Sequence, residues 1–237
     1  MESPPLSALL EFLALGGPVV WILLIFSHAV LAIGIGKLWQ FARSGLFGDA
    51  AAERIASALG EFRLAGAEPA LGTLEGVRAP AAAMLREALL HLQRGKLAES
   101  RLQDELSRLA QEQLNVLRRF LRPLDVMANA ATLLGLFGTV LGMITAFQQL
   151  QAAGTQVDPA LLSGGIWVAL LTTAVGLAVA IPATLLYNWL DSVVETCAAQ
   201  MQDSLARLFT LEAERGSSDV VASGAPLHAV TSHAAPA

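Results

Sequence analysis

The stretch GLFGTVLGMITAF, residues 135–147, carries no charge, yet it sets three glycines and two threonines among apolar residues. Glycine weakens a helix and a threonine hydroxyl finds no partner in lipid, so both residue types need a reason. The stretch belongs to a longer apolar window, 127–147, and two others match it, 17–36 (GPVVWILLIFSHAVLAIGIG) and 164–189 (GGIWVALLTTAVGLAVAIPATLLYNW). Crossing a hydrocarbon core about 30 Å thick takes roughly 20 helical residues, and each window is long enough. With 54% hydrophobic and 15% charged residues and a mean hydropathy of +0.56, the chain reads as an all-α integral membrane protein with three transmembrane helices.

Orientation follows from the basic residues. Thirteen of the fifteen Lys and Arg lie between Lys37 and Arg122, and the other two are Arg207 and Arg215. The positive-inside rule puts 1–16 and the 148–163 connection outside, and 37–126 and the C-terminus in the cytoplasm. The leading MESPPLSALLEFLALG holds no Lys or Arg, so the first window reads as a retained anchor and not a cleaved signal.

Between the first two spans, leucines recur at helical spacing in Leu102, Leu106, Leu109, Leu114, Leu117, Leu121 and Leu124. Glycines and prolines break the pattern over Gly66 to Pro80 and at Gly95, which predicts helices near 48–64, near 80–94 and from about 97. The last is expected to run through Pro123 into the second span, with a kink there at most. After 164–189, a stripe of Val193, Val194, Cys197, Met201, Leu205, Leu208 and Phe209 predicts a cytoplasmic helix over 190–213. The small and polar tail 214–237 is expected to be disordered.

In lipid, helices associate through close backbone approach at small residues. Gly138 and Gly142 form a GxxxG pair, Gly135 extends the same face, and Gly176 in the third span is taken as a further packing position. Thr132 and Thr139 share a face of the second span, and Thr172 and Thr173 lie in the third. Together they suggest a mildly polar lane, although each hydroxyl can also bond back to its own helix. Hydroxyls do not titrate near neutral pH, and between Val126 and Trp189 the one charged residue is Asp158, in the outer loop. A proton-driven device needs an intramembrane carboxylate or histidine. His28, alone on an apolar helix, reads as bonded to a neighbouring carbonyl, so a proton path would need a carboxylate from another polypeptide.

The single cysteine, Cys197, excludes an internal disulfide, and no Cys/His spacing suits a metal. The net charge of -5 gives no reason to expect nucleic acid. No nucleophile–base pair or phosphate loop is present, and GLFGTVLG lacks the GK[ST] ending of a P-loop, so neither an enzyme nor a cofactor is expected.

GLFGTVLGMITAF followed by GIWVALLTTAVGLAVAIPATLLYN resembles the paired second and third spans of the MotA/TolQ/ExbB proton channel family, in its three-span ExbB/TolQ branch. The resemblance is strongest over 127–190; the first span agrees less specifically and the cytoplasmic helices only in arrangement. It implies a homopentamer around a pore that holds a single-span ExbD/TolR-like partner, whose membrane aspartate carries protons for a TonB/TolA-like protein. It also implies that Thr139 and Thr173 line the pore and that the glycine face packs subunits together. Two positions depart from the family pattern: Val168 stands where a glutamate is common, and Gly36–Lys37 where a Glu-Arg pair is common. Val168 is the sequence argument for a non-conducting scaffold, and a TolQ-like role in envelope maintenance and division is the near neighbour of an ExbB-like one.

Overall fold

A computed structural model describes residues 17–46, 49–94, 99–153 and 159–222. Among the described residues all seven elements are helices: α1 (Gly17–Arg43), α2 (Asp49–Ala65), α3 (Ala67–Thr73), α4 (Pro80–Arg94), α5 (Glu99–Arg118), α6 (Leu121–Ala153) and α7 (Pro159–Ala222). Among the described residues there is no strand. Three of these described helices, α1, α6 and α7, are long and apolar enough to cross a membrane. The chain divides into two compact units, one ending its first stretch at Gln40 and resuming over Val116–Val194, the other holding Phe41–Asn115 and the residues from Glu195.

In the first unit, Val19 and Leu23 of α1 meet Ala131 of α6 and Ala180 of α7 in a buried cluster, with Phe26, Leu134, Val175 and Val179 against it. Large side chains point the other way: Ile25, Leu31, Ile35, Leu133, Phe137, Leu170 and Leu185 are exposed. Small residues inside and large apolar ones outside invert the soluble pattern, as a lipid solvent requires.

The passage from α5 to α6 differs from the expected continuous helix. The chain breaks at Arg119–Phe120, where Phe120 takes φ 70, a left-handed conformation rare for a side-chain-bearing residue. Pro123 supplies the physical reason. In a continuous helix its ring would clash with the carbonyl of Arg119 and leave it unbonded. With the break in place, Pro123 falls in the first turn of α6, where no backbone N–H is needed. The break leaves the carbonyls at the end of α5 without helical donors, and Lys37, only 3% exposed, donates from Nζ to the Leu117 carbonyl at 2.8 Å and to Gln40 Oε1 at 3.0 Å. Arg119 places its guanidinium 5.2 Å from the Phe120 ring centroid.

In the second unit, α2 and α4 stand close to their expected places, and α3 lies inside the region read as a break. Pro69 marks that region as broken to the eye, yet it occupies the first turn of α3, where proline is tolerated. Gly66, at φ 96, makes the turn between α2 and α3, and its N–H bonds the Phe62 carbonyl at 3.1 Å. The same carbonyl accepts from Arg215 of α7, whose guanidinium also lies 5.3 Å from the Phe62 ring centroid. The leucine stripe of α5 is buried at Leu102, Leu106, Leu114 and Leu117, whereas Leu109 is half-buried. That of α7 is buried at Val194, Cys197, Met201 and Leu208.

Two boundaries move outward. Helix α6 continues to Ala153 and α7 starts at Pro159, so much of the expected 148–163 connection is helical; residues 154–158 lie outside the described ones. Helix α7 is one element of 64 residues, with Pro182 inside it, and it reaches Ala222, into the segment expected to be disordered. The rest of the tail, the 1–16 segment and Gly95 also lie outside the described residues.

Candidate functional site

The glycines of α6 face α7 of the same chain. A Cβ built on Gly135 would stand 3.2 Å from Gly176 Cα and 3.3 Å from Thr173 Cα; one on Gly138, 2.5 Å from Thr172 Oγ1; one on Gly142, 2.8 Å from Ala169 Cβ. From α7, a Cβ on Gly176 would stand 2.8 Å from both the Ala131 carbonyl oxygen and Gly135 Cα, and one on Gly165 would collide with Ala146. Each step of three or four residues along α6 is matched by a similar step back along α7. This is a ladder of small residues holding two antiparallel helices in backbone contact. The four glycines singled out in the sequence therefore occupy an intrachain contact, not a face left free for another subunit.

Ala146, Gly165 and Ala169, which complete the ladder, were not singled out. The signal for them was present: 165, 169, 172 and 176 carry small residues at spacings of three and four, the mirror of 135, 138, 142 and 146.

The threonines divide into two groups. Thr173 donates across the contact to the Gly135 carbonyl at 3.1 Å, and Thr172, 2% exposed, is wedged against Gly138 while donating to the Ala169 carbonyl of its own helix at 2.7 Å. Thr139 and Thr132 bond back within α6, to the Leu136 carbonyl at 2.6 Å and the Ala128 carbonyl at 3.5 Å. The structure thus brings Thr172 and Thr173 together at the α6–α7 contact, while Thr132 and Thr139 satisfy their hydroxyls on their own helix. His28 does the same, its Nδ1 lying 2.9 Å from the Leu24 carbonyl.

At the end of the ladder toward Ala153, the helices part around an open cleft of about 630 Å³ lined by Pro18, Gly138, Thr145, Gln149, Gly165, Val168 and Thr172. Val168, where the family pattern has a glutamate, lines this cleft, and among the described residues no lining side chain is ionisable. Hydroxyls and an amide can hold water there, but they cannot load and release a proton. Among the described residues no group of His, Cys, Asp and Glu could hold a metal ion.

Residues 77–203, more than half of the chain, match the model of the MotA/TolQ/ExbB proton channel family. A biopolymer transport protein ExbB homologue of Methanothermobacter thermautotrophicus is 34% identical over 130 residues, 55% of this chain and 44% of its own length. The biopolymer transport protein exbB1 of Vibrio cholerae is 41% identical over 85 residues, 34% of this chain and 37% of its own length. The biopolymer transport protein ExbB of Pseudomonas putida is 38% identical over 89 residues, 37% of this chain and 26% of its own length. The aligned part thus spans less than half the length of each of these relatives.

Proposed function

The chain belongs to the MotA/TolQ/ExbB proton channel family, and on that premise we propose that it is a non-enzymatic, ExbB-type channel and stator subunit of a bacterial inner membrane. In this reading its copies form a homopentamer around a single-span ExbD/TolR-like partner, with the N-terminus periplasmic and the helical extensions and C-terminus cytoplasmic. The partner's membrane aspartate carries the protons, and a TonB/TolA-like protein passes the resulting movement to an outer-membrane transport client. Thr139 and Thr132 contribute to the proton path, and Thr172 and Thr173, at the α6–α7 contact, hold the helices that border it.

One observation carries the reading: among the described residues, the family's own pair of helices, α6 and α7, has hydroxyls and a cleft with room for water but no ionisable side chain lining it. A channel built this way needs a carboxylate lent by another chain. The same observation, centred on Val168, favours a second reading, a scaffold that holds the partner and conducts nothing.

The two readings separate by proton flux into liposomes containing this chain co-purified with its single-span partner, compared with the same complex carrying Asp→Asn in the partner's membrane segment. Flux abolished by the substitution is the expected result. Equal flux in both, or none in either, refutes the channel and leaves the scaffold.

A further inference from the structure

Thr172 and Thr173 are neighbours in α7, yet they sit on opposite sides of its contact with α6. Thr172 is wedged against Gly138, whereas Thr173 stands against Gly135 and donates to its carbonyl at 3.1 Å. Helix α1 packs on the Thr172 side. The cleft that α1 lines with Pro18 and Val19 takes in Gly138 and Thr172, and the groove it lines with Val30 and Leu38 takes in Val179 and Leu186, which follow Thr172 at intervals of seven. Thr173 lines neither, so it marks the side of the α6–α7 pair that α1 does not cover.

That side carries polar residues on both helices. On α6, Gly135 is turned from Gly138 toward it, and Thr139, Thr132 and Asp125 follow at about 40°, 60° and 80° beyond Gly135 in the same sense. On α7, Thr184 and Asp191 stand about three and five whole turns after Thr173, on nearly the same line. Thr132, Thr139 and Thr184 each donate to a carbonyl of their own helix, which leaves the hydroxyl oxygen able to accept from water. The ladder sets Gly135 level with Gly176, so its antiparallel register brings Leu186 level with Asp125 and puts Asp191 about five residues, or ~8 Å, farther toward the Arg118 end. Both aspartates are half-buried, and among the described residues neither is in an ion pair; Asp125 Oδ1 accepts from Asn129 Nδ2 at 3.0 Å.

We propose that Asp125 and Asp191 are the proton acceptors at the cytoplasmic end of the path. A proton carried by water along the threonines passes to a carboxylate oxygen and from there to bulk water, one O–H bond breaking as the next forms and no other bond changing. The hydroxyls cannot take this role, because they bind no proton near neutral pH, whereas a carboxylate can gain and lose one. The inference rests on the channel reading and supplies its exit; the partner's aspartate remains the carrier within the membrane.

The test is proton flux into liposomes containing the complete complex, with Asp125→Asn and Asp191→Asn made singly and together, beside the partner's Asp→Asn. The double variant is expected to conduct at least about tenfold more slowly than the native complex, with each single variant between the two. Raising the concentration of MES, a buffer that does not cross the bilayer, should restore much of the lost flux by taking protons at the exit, and Asp125→Glu with Asp191→Glu should conduct close to the native rate. Loss that neither MES nor the glutamates relieve means that the two side chains only hold the structure, and it overturns the proposal. Native flux in the double variant, while the partner's Asp→Asn abolishes flux, also overturns it and leaves the channel reading standing. A native complex that conducts nothing refutes the channel reading and this exit with it. Should the double variant fail to co-purify with the partner, the single variants carry the test: each should lose flux and regain it with MES, and native flux in both overturns the proposal.

Discussion

Gly176→Ala tests how tight the α6–α7 contact is. The added methyl would meet the Ala131 carbonyl oxygen and Gly135 Cα, both at 2.8 Å and both backbone, so no side-chain rotation can relieve it. Ordinary contact begins at 3.4 Å, so the helices must separate by about 0.6 Å, which forfeits a quarter or more of the dispersion well for each atom pair along the ladder. Overpacking of this kind costs about 1–3 kcal/mol, offset by up to ~1 kcal/mol because alanine is the better helix former. The expected net loss is about 1–2 kcal/mol, a factor of roughly 5–30 in the folded-to-unfolded ratio. Gly164→Ala, in the same helix with nothing within 4 Å of the new Cβ, is the matched control and should be neutral or slightly stabilising. Both variants would be unfolded in mixed micelles with increasing SDS and followed by circular dichroism. If Gly176→Ala unfolds at the same SDS fraction as Gly164→Ala, the ladder is not a close backbone contact and the reasoning fails.

Thr173→Val removes a threonine bond that crosses between α6 and α7, and it should cost about 0.6 kcal/mol, the mean for such bonds in membrane helices, in the same micelle titration. Lys37→Met leaves the Leu117 carbonyl without its Nζ donor and should cost about 1–3 kcal/mol, read as a lowered thermal midpoint; Lys37→Arg should recover part of it. Val168→Glu places a carboxyl in the cleft, and in the liposome assay it should restore measurable flux to complexes whose partner carries Asp→Asn.

The three spans were legible because a lipid solvent leaves a long and nearly charge-free signature, and because GLFGTVLGMITAF places its small residues at helical spacing. What escaped was decided by local geometry. Pro69 and Pro123 both looked like breaks or kinks within a helix, and both turned out to occupy first turns; the sequence marks a proline but not where the neighbouring helix begins. The true break, at Arg119–Phe120, carries no glycine or proline of its own, so nothing in composition points to a left-handed Phe120. Lys37 was counted among the cytoplasmic charges, as most lysines deserve; its burial follows from the carbonyls which that break sets free. The glycine face was read as a surface that packs subunits together; it meets α7 of the same chain, a partner set by the antiparallel ladder and visible only when both series of small residues are aligned.

The ladder also constrains where protons could pass. A backbone contact this close leaves no file of water between α6 and α7 along Gly135 and Gly138, and Thr172 is 2% exposed within it. A conducting path must therefore run over an outer face, where several copies and a partner helix could enclose it. Thr139 is half-buried and lies outside the ladder's close contacts, so its hydroxyl can bind water on such a face. Thr139→Val should then slow proton flux several-fold, since one lost hydrogen bond of about 1 kcal/mol at the limiting step is worth roughly fivefold in rate. Thr172→Val, which exchanges a hydroxyl bonded to its own helix for a methyl of the same shape, should leave flux within about twofold of the native complex, a difference of ~0.4 kcal/mol. The reverse ranking in the liposome assay would place the path between α6 and α7 of one chain, and would mean that those helices open during transport.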